Sequence, residues 1–190
     1  MRMKRTLLLT ILLLTIFLSS SGQKKKEIKK LNIKSVKTIV VESINGKEVT
    51  HNESYERFDS NGNKIEETEY NKDGSINKKE TRKFNKQNDK TEEVHYDAKG
   101  AITKKTTTEY NDDNNPSLET EFDAKGNIVE RTKFAYNARG ENVSETVTDA
   151  SGKPVRKVVY SYDKNGLKTE KKTLNATGGV ISVKKYVYEF

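Results

Sequence analysis

Beyond residue 38 the chain is written in runs of eight or ten residues in which apolar and polar side chains alternate, each run bounded by a short polar phrase. Of the 14 aromatic residues that follow residue 22, 13 stand at even positions, and only Tyr55 is odd. Ile76, Val94, Ile102, Leu118, Ile128, Val158, Leu174 and Val180 are even as well. Side chains alternate faces along a strand, so this pattern predicts strands with one aromatic and aliphatic face and one face of Lys, Glu and Thr. No stretch after residue 22 has its apolar positions at helical spacing.

The polar phrases repeat. An aromatic, Asp or Asn, two spacers and Gly begin at Phe58, Tyr70, Phe84, Tyr96, Tyr110, Phe122, Tyr136, Thr148, Tyr162 and Leu174, at intervals that alternate between 12 and 14 residues. A last step of 14 reaches Tyr188, so the unit is a 26-residue repeat made of two halves. Asp or Asn suits the first position of a type I turn and Gly the last, where φ is positive. On this reading Asp59, Gly62, Gly74, Asp97, Gly100, Asp123, Gly126, Gly140, Gly152, Asp163 and Gly166 are turn-forming residues, in four-residue loops joining antiparallel strands.

The expected fold is all-β: an antiparallel up-and-down meander of about 12 strands over residues 38–190, including two before Phe58. Because 12 and 14 are both even, each turn returns the chain with its aromatics on the same face. If the turns are alike, strands of unequal length shift the register at each hairpin, which coils a sheet and supplies the shear of a barrel. Burying one apolar face without helices then predicts a strongly curved sheet or barrel-like roll. From Val129 onward odd positions also become apolar, at Val143, Val147, Val155, Val159, Leu167, Ile181, Val183 and Val187. The C-terminal strands are thus apolar on both sides: either something covers them, or they offer a contact surface with Tyr160, Tyr162, Tyr186 and Tyr188 as its anchors, or the odd valines only express β-propensity on a solvent face.

The N-terminus sets the expected compartment. Arg2, Lys4 and Arg5 precede the apolar run from Leu7 to Leu18, and the small residues from Ser19 to Gly22 follow it. This is a secretory signal peptide over residues 1–22, the apolar run being too short for an ordinary span. No Cys follows it or occurs anywhere, which excludes a lipid-anchored lipoprotein, disulfides and thiolate chemistry. The net charge of +8 is also local: the leader carries +3 and the Lys-rich linker 23–37 carries +6, leaving −1 for residues 38–190. A nucleic-acid surface needs basic residues clustered on the folded body, so no nucleic-acid partner is expected. The mean hydropathy of −0.92 and the 34% of charged residues resemble a disordered chain, but the period-two pattern decides for strands.

Tyr96-Asp97-Ala98-Lys99-Gly100 and Tyr162-Asp163-Lys164-Asn165-Gly166 resemble the YD repeats of Rhs-type bacterial surface and toxin-delivery proteins, and Phe122 to Ile128 resembles the fuller repeat with Phe for Tyr. The resemblance covers residues 58–190 and implies a spiralling β-sheet shell. Asn stands for Asp at 71, 85, 111 and 137, and for Gly at 88 and 114, and no toxin segment follows the repeats. The likeness to MORN-type hairpin repeats is weaker.

Candidate chemistry is sparse. His51 and His95 lie on different strands with no Cys near them, and zinc needs three or four converging ligands. Glu66-Glu67 and Glu92-Glu93 are adjacent, so each pair points to opposite faces and makes no acid–base couple; charged ladders across strands are expected instead. Asp59-Ser60-Asn61-Gly62-Asn63 has too few oxygens for calcium, and Lys72, Lys99 and Lys125 sit inside sister loops. No cofactor, metal or catalytic residue is assigned. The expectation is an exported, non-enzymatic structural or interaction module of the bacterial cell envelope, periplasmic or at the surface, with an envelope protein or polysaccharide as partner and no transmembrane span after cleavage. The alternative is a periplasmic carrier that holds a lipid or other apolar ligand inside the curved sheet.

Overall fold

The computed structural model describes residues 21–44 and 47–189; the expected signal peptide lies outside the described residues except for Ser21 and Gly22. A helix, α1 (Ser21–Lys30), leads into twelve strands. They are β1 (Ser35–Ile44), β2 (Lys47–Phe58), β3 (Lys64–Tyr70), β4 (Ile76–Phe84), β5 (Lys90–Tyr96) and β6 (Ile102–Tyr110). The chain continues through β7 (Pro116–Asp123), β8 (Ile128–Tyr136), β9 (Asn142–Asp149), β10 (Pro154–Tyr162), β11 (Lys168–Asn175) and β12 (Val180–Lys185). All twelve form one antiparallel sheet in sequence order. The meander is as expected, but it does not close: β1 and β12 are its two edges.

The turns explain the strand spacing. Asp59 N–H donates to the Asn63 carbonyl, Gly62 N–H donates to the Asp59 carbonyl, and Asp59 Oδ1 accepts from the backbone of Asn61 and Asn63. Gly62 has φ +77°, which an L side chain rarely adopts. This is a three-residue loop, a type I turn followed by a left-handed residue, rather than the expected four-residue loop. The same backbone bonds recur at Asn71, Asn85, Asp97, Asn111, Asp123, Asn137, Asp149, Asp163 and Asn175. Asn88 and Asn114, which replace Gly, take φ of 70° and 59°. Asn is one of the few side chains that enters this region readily.

Each hairpin also carries a bulge, and this overturns the expectation of one aromatic face. Phe58 pairs with Lys64 but Arg57 pairs with Glu66, so Ile65 has no opposite number. Tyr70 pairs with Ile76 but Glu69 with Lys78, and Tyr96 with Ile102 but His95 with Lys104. Directly opposite residues share a face. The unpaired residue makes each even step odd, and the strand after the turn returns with the opposite parity. Phe58, Phe84, Tyr110, Tyr136 and Tyr162 therefore share what is called here the front face, while Tyr70, Tyr96, Phe122 and Leu174 share the rear.

Neither face has a second layer of structure over it among the described residues. Buried positions come from both faces: Glu56, Glu80, Val147, Val158 and Tyr160 from the front, and Thr68, Val94 and Thr120 from the rear. Burial here is side chain against side chain along a single sheet, by cross-strand pairs and by the stems of Lys and Arg.

The helix corrects the expectation of no helical stretch. Part of the segment expected as a solvated Lys-rich linker over 23–37 is α1, and β1 begins at Ser35. Ile28 is buried, and the helix packs against the turn between β2 and β3: a Cβ on Gly62 would lie 2.6 Å from the Lys25 carbonyl oxygen. One apolar residue among many lysines gives no helical period, which is why the pattern hid it.

Candidate interaction surface

The front face changes character along the sheet. In its first half it holds a web of charges around Arg82, whose guanidinium meets Glu67 at 3.4 Å, Glu93 at 3.1 Å and also Glu80. Lys78 bonds Glu80 at 2.9 Å, Lys64 bonds Glu67 at 2.7 Å and Lys90 bonds Glu93 at 2.8 Å. His95 is held between Glu80 (3.2 Å from Nδ1) and Glu93 (3.0 Å from Nε2). Burial by itself would raise the Glu93 pKa; the bonds and charges of Lys90, Arg82 and His95 outweigh it and bring it to about 2. Adjacent Glu92 points to the rear, where Lys83 and Lys105 hold it at 2.7 and 2.8 Å. The adjacent glutamates thus serve charged ladders on opposite faces. Among the described residues no group of three or more His, Asp or Glu is placed to hold a metal ion.

A ladder of tyrosines runs along one end of the same face. The hydroxyls of Tyr110, Tyr136, Tyr162 and Tyr188 donate to the carbonyls of Lys90, Pro116, Asn142 and Lys168 at 2.7, 2.9, 2.8 and 2.9 Å. Lys90, Pro116, Asn142 and Lys168 are the partners of Phe84, Tyr110, Tyr136 and Tyr162 across the preceding turns at that end. A bulge disturbs the backbone ladder at these places, and the phenol supplies the carbonyl with a donor.

Three of the four tyrosines expected as anchors, Tyr160, Tyr162 and Tyr188, meet at Lys168, and the fourth, Tyr186, donates its backbone N–H to the neighbouring Thr169 carbonyl. The Lys168 ammonium lies 4.0 Å from the centre of the Tyr160 ring and 5.9 Å from that of Tyr162, and its carbonyl takes the Tyr188 hydroxyl. Lys171 adds a second cation 5.8 Å from the Tyr160 ring. Tyr160 is buried and donates to Glu145 at 2.7 Å; its burial, with that carboxylate, pushes the phenol pKa up. Tyr160 and Tyr162 thus form the floor of the cluster, while Tyr186 and Tyr188 are 38% and 43% exposed. Of the odd-numbered apolar positions, Val147 is only 2% exposed, whereas Val155, Ile181, Val183 and Val187 are exposed. Lys168 and Glu145 were not singled out in the sequence. The signal for Lys168 was available, since it stands at the position that pairs with Tyr162 across the turn.

No protein-family model and no curated protein matches the chain. Among solved structures it is similar to a porin-like protein from Bacteroides uniformis, with a TM-score of 0.41 at 16% identity over 81% of this chain and 56% of that one. A Bacteroides fragilis protein of unknown function gives a TM-score of 0.41 at 15% identity, over 58% of this chain and 94% of that one. A TcdB2–TccC3–Cdc42 complex gives 0.31 at 12% identity, over 82% of this chain and 10% of that one. Likenesses this weak carry nothing about activity to this chain.

Proposed function

We propose that this chain is an exported, non-enzymatic structural or interaction module of the bacterial cell envelope, and that it makes its contacts through the C-terminal part of the sheet. The observation that carries the reading is the tyrosine cluster around Lys168 beside a strand that buries none of its side chains: every residue of β12 is exposed. Aromatic rings fixed from below and open above are the side chains most enriched at recognition surfaces. The basic start and apolar run before Ser19 support export. Among the described residues no helix is long and apolar enough to cross a membrane. An apolar-ligand carrier draws less support, because a front-face cleft of about 170 Å³ is lined by Lys90, Glu93, His95, Lys104, Glu121 and Glu130, and a larger cleft of about 490 Å³ sets Ile65 and Phe84 among Arg57, Asp59, Arg82 and Lys83.

The test is binding of the exported protein to isolated cell envelopes. Replacing both Tyr186 and Tyr188 by Ala is expected to lower retention at least about fivefold, with the circular dichroism spectrum unchanged. Undiminished retention by the folded variant removes the surface from consideration. N-terminal sequencing of the exported chain checks the other half of the reading, with a new terminus expected close to residue 23.

A further inference from the structure

We propose that copies of this chain join edge to edge, the outer edge of β12 in one copy pairing antiparallel with the outer edge of β1 in the next. This inference stands apart from the envelope reading, since it rests on the two sheet edges alone. Both edges lack a neighbouring strand among the described residues. Their backbone phases are legible. Tyr186 N–H donates inward to Thr169, and Phe58 N–H donates to the Lys34 carbonyl. Even-numbered residues of both edges therefore turn their backbone groups inward, and odd-numbered ones turn theirs outward.

Odd must meet odd, and that condition keeps front with front, because odd residues of β1 and β12 both lie on the rear. Placing Val41 opposite Lys185 satisfies it. In that register Glu42 stands opposite Lys184 on the front, and Lys37 stands opposite Glu189 on the rear, within residues 186–189, which follow β12 and which the pairing would add to that strand. Ile39, 51% exposed, covers Val187, 87% exposed. Both charged rungs are complementary, and the worst-exposed aliphatic residue is matched by another. Glu42 already bonds Lys72 at the surface through both carboxylate oxygens, at 3.0 and 2.9 Å, so Lys184 of the next copy would join Lys72 on that carboxylate.

Self-pairing does less. Two β1 edges can never set Lys37 against Glu42, since one is odd and the other even. Two β12 edges can set Lys185 against Glu189, but they leave Ile39 and Val41 of β1 uncovered. The β12-to-β1 contact uses different patches on the two copies, so it does not end at a pair and builds an open-ended sheet.

The absence of cysteine makes the test direct. Val40 and Tyr186 would face each other as a close, non-hydrogen-bonded pair, at a separation that suits a disulfide. The single variants Val40→Cys and Tyr186→Cys are mixed and oxidised. A disulfide-linked species of twice the chain mass is expected in the mixture and in neither variant alone. No cross-link in the mixture overturns the proposal, and so does cross-linking of Tyr186→Cys with itself. For the unaltered protein, sedimentation velocity should show a mean mass that grows with concentration; a monomer at every concentration overturns the proposal without recourse to any variant. Lys184→Glu is expected to weaken association at least about fivefold, and adding Glu42→Lys to restore it.

Discussion

At the scale of single residues, the same letter carries different weight in different repeats. Gly62 and Gly100 both hold a positive φ, but a Cβ at Gly100 meets nothing within 4 Å, while one at Gly62 runs into the backbone of α1. Gly100→Ala should cost about 1–2 kcal/mol for the left-handed backbone alone. Gly62→Ala should cost more, because the helix must also move away; urea unfolding of the two variants side by side measures the difference. The tyrosine hydroxyls can be weighed in the same way. Tyr136→Phe keeps the ring and removes only the bond to the Pro116 carbonyl, so a loss of about 1 kcal/mol is expected. Tyr96, in the mirrored position on the rear, bonds only the Thr81 hydroxyl, at 3.1 Å, so Tyr96→Phe is expected to cost no more than about 0.5 kcal/mol.

Between the strands, charge does much of what aliphatic packing does elsewhere. Arg82 faces Glu67, Glu80 and Glu93, of which Glu80 is the most buried. Arg82→Met leaves three carboxylates without their shared cation, and a loss of about 3 kcal/mol is expected by urea unfolding. Acid should act on the same web. Glu93 titrates near 2 in the folded chain against an ordinary 4.5, so its contribution is complete above about pH 4.5. It is lost as the pH falls from there toward 2, and unfolding midpoints between pH 7 and pH 2 should show this, with a shallower decline in Glu93→Gln. The strands and turns were legible in the sequence because a phrase such as Tyr96-Asp97-Ala98-Lys99-Gly100 states its own geometry. The assignment of faces was not. Counting parity through a turn assumes a regular ladder, and the unpaired Ile65 has no signature in composition. Arg82 and Glu93 share a face only because their registers shift, so the charge web stayed hidden with it. The tyrosine cluster was partly visible: its rings were named, but Lys168, which joins Tyr160, Tyr162 and Tyr188, was not.

Taken as a whole molecule, this is one sheet, with each strand packed on its neighbours in sequence. Stability in such an array is close to a sum of nearest-neighbour terms rather than the property of one central core. The outermost strands have one neighbour each and should open first. Hydrogen exchange is expected to be fastest in β1 and β12 and slowest in the middle strands β5 to β9. If the edges pair between copies as proposed, raising the protein concentration should slow exchange in β1 and β12 together and leave the middle unchanged.

The bulge beside each turn from Asp59 onward has a consequence for how chains of this design can lengthen. One half-repeat turns the strand over and the next turns it back. Duplicating or deleting 26 residues keeps every tyrosine rung and every charged rung on its own side. Duplicating a single half would exchange front and rear for everything downstream, setting Tyr rungs where Lys and Glu ladders belong. Gene-level growth of this protein is therefore quantised: the two-stranded unit of 26 residues, not a single strand with its turn, is the smallest inheritable piece.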